Sequence, residues 1–144
     1  ADPRLHWTLA QYQQKHDFVV SVLSMYGAVN LALDDVDSTL TRLNAKIADM
    51  TKAGAPASQI AAVQSVVNAG QALRGRMSAG YKNDEDSINQ PGQLREKIQG
   101  LLFANFGSLG PPISTHYALE AVVRASYEQT MSDYKAWSAS ARRM

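Results

Sequence analysis

At 144 residues the chain has the length of one domain, enough to bury a core unaided, and 14 Lys and Arg against 13 Asp and Glu leave a net charge of +1. So even a balance supplies no long-range field for nucleic acid or an anionic membrane, and no nucleic-acid partner is expected. The absence of Cys excludes disulfides, thiolate nucleophiles and Cys-based zinc or haem sites, and charged residues make up only 19%, Ala, Ser, Gln and Asn taking their place.

The chain opens on Asp2-Pro3-Arg4-Leu5, an extended stretch, since the residue before proline is pushed away from helical angles. Residues 1–7 are therefore read as an extended lead-in to the first helix. Thr8-Leu9-Ala10-Gln11 is a T-x-x-Q capping box, with Trp7 and Tyr12 placed to close a hydrophobic staple around it. From Leu9 to Lys52 no proline intervenes, so the first helix is expected to run roughly 65 Å. Within it Val22, Tyr26, Val29, Leu33, Val36, Leu40, Leu43, Ile47 and Met50 recur at steps of four and three. That alternation averages 3.5 residues and keeps one apolar seam turned toward neighbouring helices. Gly27 is its weak point, costing about 1 kcal/mol relative to Ala, and marks a bend or a close helix crossing.

Ala53-Gly54-Ala55-Pro56 reads as a turn, Gly54 suiting the left-handed position after a helix and Pro56 the first turn of the next. A second helix carries Ile60, Val63, Val67 and Gly70 on one seam, with Val66 and Leu73 beside it and Met77 and Tyr81 further on. Gly70, Gly75 and Gly80 weaken it, so its end falls between Leu73 and Asn83, ahead of a solvated loop at 82–87. Pro91 opens a short third helix with Leu94, Ile98, Leu101, Leu102 and Phe106 on its apolar face. Gly107-Ser108-Leu109-Gly110-Pro111-Pro112 is the strongest break, and Ser114 or Thr115 caps a last helix. There Leu119, Val123, Tyr127, Thr130, Tyr134, Trp137 and Ala141 repeat the four-three spacing and answer the seam of the first helix.

The fold expected is all-α: an antiparallel bundle of three long helices with one short inserted helix, occupying residues 8–144. Two charge-free runs, Phe18–Leu33 and Ala53–Leu73, invite a membrane reading. The first is shorter than the roughly 20 residues a span needs and the second is rich in Gln, Asn and Ser, so no membrane span is expected.

No cluster demands a particular chemistry. His6 and His16 lack the i,i+4 partner of a helical metal site, and His16 falls on the seam between Tyr12 and Val19 as a partly buried imidazole. Asp34 and Asp37 share a helix face, but no oxygen-rich loop accompanies them, and they are expected to face Arg42, Arg74 or Arg76 across the bundle. Arg142-Arg143 and Arg74-Gly75-Arg76 are short basic spots, Asp84, Glu85 and Asp86 lie in the loop, and no Ser sits in a nucleophile elbow. No catalytic, cofactor-binding or metal-ligating residue is assigned, and no cofactor is expected. The outward positions of the second helix, Gln59, Gln64, Asn68 and Gln71, carry no charge and read as a domain-docking face.

Asp2-Pro3-Arg4-Leu5 before Thr8, Leu43-Asn44-Ala45-Lys46-Ile47, the Pro91–Leu102 stretch and Gly110-Pro111-Pro112-Ile113-Ser114 before a helix ending in Trp137 resemble the helical C-terminal region of bacterial secreted sortilin-like or BNR-repeat "glycosyl hydrolase-like" proteins. Phe103-Ala104-Asn105-Phe106 departs from the small residues of that family. The resemblance implies a secreted or periplasmic setting and an upstream β-propeller holding any hydrolase or ligand surface. The expectation is thus a non-catalytic structural or interaction module, with the upstream β-domain or another protein as partner and the oligomeric state open. The alternative is the ligand-sensing periplasmic bundle of a receptor, which calls for an interhelical pocket lined by Arg or aromatic side chains.

Overall fold

The computed structural model describes residues 7–79, 92–107 and 110–144, and among them the chain forms four α-helices and no strand. They are α1 (Leu9–Lys52), α2 (Ala57–Met77), α3 (Leu94–Phe106) and α4 (Ser114–Ala141). The lead-in through His6, the loop carboxylates Asp84, Glu85 and Asp86, and Pro91 lie outside the described residues.

α1 starts as its sequence dictates. The Gln11 amide donates to Thr8 Oγ1 at 3.2 Å and the Thr8 amide to Gln11 Oε1 at 2.9 Å, closing the capping box. The Trp7 and Tyr12 rings meet at 4.9 Å as the staple. At the other end the Gly54 amide donates to Thr51 O and the Ala55 amide to Met50 O, with Gly54 at φ 70°. That is a Schellman stop, and Gly54 is the residue that lets the chain take its left-handed step.

α1 is the spine and packs on all three other helices. Its C-terminal half lies against α2, where Asp37 meets Arg74 and Leu40 meets Gly70. Its N-terminal half lies against α3 and the start of α4, where Phe18 meets Tyr117. α2 and α3 touch each other little and follow one another along α1, so they act as one rod broken between Met77 and Leu94. α4 returns alongside that rod and runs parallel to α1, pairing Ser21 with Arg124, Asp35 with Tyr134 and Arg42 with the Ala141 carbonyl.

The expected seam forms the core: Val22, Val29, Leu33, Val36, Leu40 and Leu43 are buried, with Tyr26, Ile47 and Met50 packed against them. Phe18, Met25 and Ala32 are buried as well and form a second inner row. A helix that faces two rods must bury a stripe wider than a two-helix seam. α2 contributes Val63, Val67, Leu73 and Met77, and α4 contributes Val123, Thr130, Trp137 and Ala141.

Several local expectations are corrected. Phe106 is 63% exposed and Asn105 takes the buried place on α3, its amide donating to the Leu101 carbonyl at 3.0 Å. Following Leu94, Ile98, Leu101 and Leu102, position 105 continues the stripe, whereas 106 lies a further 100° round the helix. Leu119 is 48% exposed, so the α4 seam starts at Val123. α4 is capped by an extended Ile113, whose amide donates to His116 Nδ1 at 3.3 Å, and Ser114 is already its first helical residue.

Candidate functional site

Where α2 ends beside the middle of α1, Asn30, Asp34, Asp37, Arg74 and Arg95 line a polar cavity of about 330 Å³. Arg74 grips Asp37 with two hydrogen bonds, Nε to Oδ1 at 2.6 Å and Nη2 to Oδ2 at 3.2 Å. That pairing raises the Arg74 guanidinium above its already high ordinary pKa, the bonds to Asp37 outweighing burial. Ser78, just past α2, donates to Glu96 Oε1 at 2.8 Å, and Arg95 Nε lies 3.6 Å from the same oxygen. The Arg74–Asp37 pair ties α2 to α1, and the Ser78–Glu96 bond ties the end of α2 to α3.

A second polar set fixes α4 against its neighbours. The half-buried Asp35 accepts from Tyr134 Oη at 2.7 Å and from Ser138 Oγ at 3.3 Å. Burial, reinforced by that acceptor, pushes the Tyr134 hydroxyl above the usual phenol range. Arg76 Nη1 donates to Asp133 Oδ2 at 2.8 Å, and with Gln129 it holds the Asp133 carboxyl below the ordinary range. Arg124 bonds to Glu120 and reaches Ser21 on α1. Arg42 and Lys46 donate to the Ala141 and Met144 carbonyls. Together with Arg143, whose Nε donates to the Ala139 carbonyl at 3.2 Å, these α1 side chains place positive charge at the C-terminal end of α4.

An apolar concavity has a different character. Between antiparallel α3 and α4 runs a groove of about 440 Å³ with Leu101 and Val123 as its floor and Gly100, Leu119 and Val122 on its walls. Leu119 and Val122 are 48% and 68% exposed, and Lys97 stands at the rim. Gly100 leaves one wall low, since a Cβ built there meets nothing within 4 Å. Phe103, at 65% exposure, extends apolar surface along the outer side of α3. The groove has the dimensions and lining of a seat for apolar side chains rather than for polar chemistry.

The residues singled out from sequence are dispersed. His16 lies on the surface, its side chain 67% exposed and its Nδ1 3.1 Å from Asp17, so the expected partly buried imidazole is corrected: the buried row starts at Phe18, and Tyr12 belongs to the staple. His116 caps α4 beside Phe18, far along the chain from His16. Of the two carboxylates sharing a face of α1, Asp37 pairs with Arg74 as one of the anticipated partners and Asp34 stays exposed, while the neighbouring Asp35 turns to α4. No group of three potential metal ligands occurs among the described residues. Gln59, Gln64, Asn68 and Gln71 are all exposed on the outside of α2, Gln64 Nε2 donating to Asn68 Oδ1 at 2.9 Å within the helix. The α3–α4 groove escaped the sequence reading because Leu119 continues the α4 seam by spacing and Val122 stands beside it; only the low residue Gly100 opposite them hinted at a gap.

α1 is long and apolar enough over one stretch to cross a membrane by length and composition, and 33% of that stretch is buried inside the bundle. No family model, no curated protein and no solved structure matches the chain.

Proposed function

We propose that the chain is a non-catalytic interaction module appended to a larger secreted or periplasmic protein of the β-propeller type, and that it docks on the upstream β-domain through the groove between α3 and α4. The observation that carries this reading is the groove itself: half-exposed Leu119 and largely exposed Val122 stand over an apolar floor, with a single cationic rim residue, Lys97. Surface of this kind is paid for in solubility unless a partner covers it. The sequence resemblance supports the identity of that partner, and the polar sites elsewhere support a structural role, since their charges are engaged in holding helices.

The test is titration of the chain with the β-rich domain encoded upstream in the same gene. Val122→Lys is expected to weaken association at least about tenfold, as a lysine cannot enter an apolar contact without desolvation. The pair Gln64→Lys and Asn68→Lys on α2 is expected to leave it unchanged. Loss only with the α2 pair would move docking to the face suggested by sequence, and no association at all would overturn the reading.

A second reading has one observation in its favour. The junction cavity is interhelical and lined by Arg74 and Arg95, as a ligand-sensing bundle requires. It predicts that a small polar ligand protects the chain thermally and that Arg74→Ala abolishes the protection, whereas the docking reading predicts that Arg74→Ala only lowers stability.

A further inference from the structure

The N-terminal half of α1 is apolar on both sides, and the bundle covers only one. Its inner rows, Phe18, Val22, Met25, Val29, Ala32 and Leu33, are buried. On the opposite face Val20, Leu23, Gly27 and Leu31 fall in line at 100° per residue, with Val20 47%, Leu23 45% and Leu31 73% exposed. A helix apolar all round is normally covered all round. Gly27 sharpens the point: its φ is ordinary, and a Cβ built on it meets nothing within 4 Å. Among the described residues nothing requires glycine there, yet its presence costs helix stability. A glycine on an exposed apolar stripe is accounted for if another backbone or side chain comes close from outside.

Polar residues frame the stripe. His16 and Asp34 are both exposed and stand eighteen residues apart, five helical turns, so they share one azimuth at opposite ends. A second copy laid antiparallel across the first, about a two-fold axis at the level of Met25, brings each His16 to the other copy's Asp34. It also brings Val20 to Leu31 and seats Leu23 over Gly27. A parallel copy would instead set His16 on His16 and Asp34 on Asp34. The face is thus self-complementary in the sense that a two-fold dimer demands. A shallow antiparallel crossing near 20° would suit such a face, with the open space at Gly27 letting the axes approach. Asp17, already bonded to His16 Nδ1, lies off the line on the flank and leaves Nε2 for the partner.

We infer that the outer face of α1 is a homodimer interface, antiparallel and two-fold, with Leu23 of each copy packed over Gly27 of the other. This face is distinct from the α3–α4 groove, so the dimer stands or falls independently of the proposed docking partner. A single helix face lies at the small end of specific interfaces, so association should depend on concentration.

Sedimentation equilibrium of the chain over a concentration series is expected to show mass rising toward twice that of the monomer. Leu31→Lys should hold it monomeric with helix content and melting temperature at low concentration unchanged, because the position is exposed. Gly27→Leu should do the same without unfolding, since the added side chain has open space in the monomer and fills the hole in the dimer. His16→Asp should weaken association several-fold, and His16→Asp combined with Asp34→His should restore it. Because the chain has no cysteine, single substitutions report orientation: Val20→Cys mixed with Leu31→Cys should cross-link, and Leu31→Cys alone should not. A monomer at every concentration overturns the proposal, as does a dimer indifferent to Leu31→Lys and Gly27→Leu, or Leu31→Cys self-linking. Binding of the monomer to phosphatidylcholine–phosphatidylglycerol vesicles, lost on Leu31→Lys, would assign the face to a lipid surface instead.

Discussion

Gly70 and Gly75 lie five residues apart on α2 and have opposite consequences. A Cβ at Gly70 would stand 2.5 Å from Trp137 Cζ2 and 2.9 Å from Leu40 Cδ2, while one at Gly75 meets nothing within 4 Å. Trp137 has no room to retreat, being anchored by its Nε1–H to the Val66 carbonyl at 2.9 Å. Gly70→Ala is therefore expected to destabilise the chain by about 1–3 kcal/mol through overpacking, lowering the melting temperature by several degrees. Gly75→Ala is expected to raise stability by about 0.5–1 kcal/mol through helix propensity alone, and calorimetric melts of the two variants check both signs. The glycine periodicity was visible in the sequence, but which glycine admits a neighbour depends on where the Trp137 indole lands. Two titrations also belong at this scale. Asp133 has a folded pKa below its unfolded value, so its contribution is complete above about pH 4 and is lost as the pH falls through the folded pKa. Tyr134 has a folded pKa above its unfolded value, so its contribution is complete below about pH 10 and is lost as the pH rises through the folded pKa. Stability measured against pH should lose acid-limb slope in Asp133→Asn and alkaline-limb slope in Tyr134→Phe.

At the scale of elements, α1 was largely legible. The Thr8–Gln11 box, the four-three seam and the Gly54 stop depend on local chemistry, and each stands where the sequence put it. Leu40 is 8% exposed on that seam, and Asn44, one turn on, faces outward. Leu40→Asp should lower the melting temperature sharply, since burying an unpaired carboxylate costs several kcal/mol out of a total stability of about 7–20 kcal/mol at 144 residues. Asn44→Asp should melt within about 1–2 °C of the parent, and circular dichroism of the pair measures the difference. Less legible were the widths of faces and the ends of short helices. The second row of Phe18, Met25 and Ala32 exists because α1 meets two rods, a fact of assembly rather than of local spacing. On α3 a phenylalanine stands outside and an asparagine inside, because position 105 faces the core and the Asn105 amide finds the Leu101 carbonyl there. Apolar character alone picks the wrong residue of the two.

For the whole molecule, three-rod packing sets the outer flanks of α3 and α4 against each other with no further described helix over them, and the groove follows from that geometry. Sequence pattern pointed to α2 as the docking face because uncharged Gln and Asn stood out there. The groove was not legible there, since Leu119 falls on the α4 seam by spacing when the neighbouring rod is unknown. Interhelical polar pairs favour one register: Arg74–Asp37 and Arg76–Asp133 at the surface and the part-buried Asp35–Tyr134 each join two helices among α1, α2 and α4. On the proposed docking reading, outward apolar surface on this frame is what meets the partner. Backbone hydrogen exchange of the chain, with and without the upstream β-domain, tests this most directly. The account predicts added protection confined to 97–104 and 115–126, the two walls of the groove. Protection confined to 59–71, or no change anywhere on binding, would contradict it.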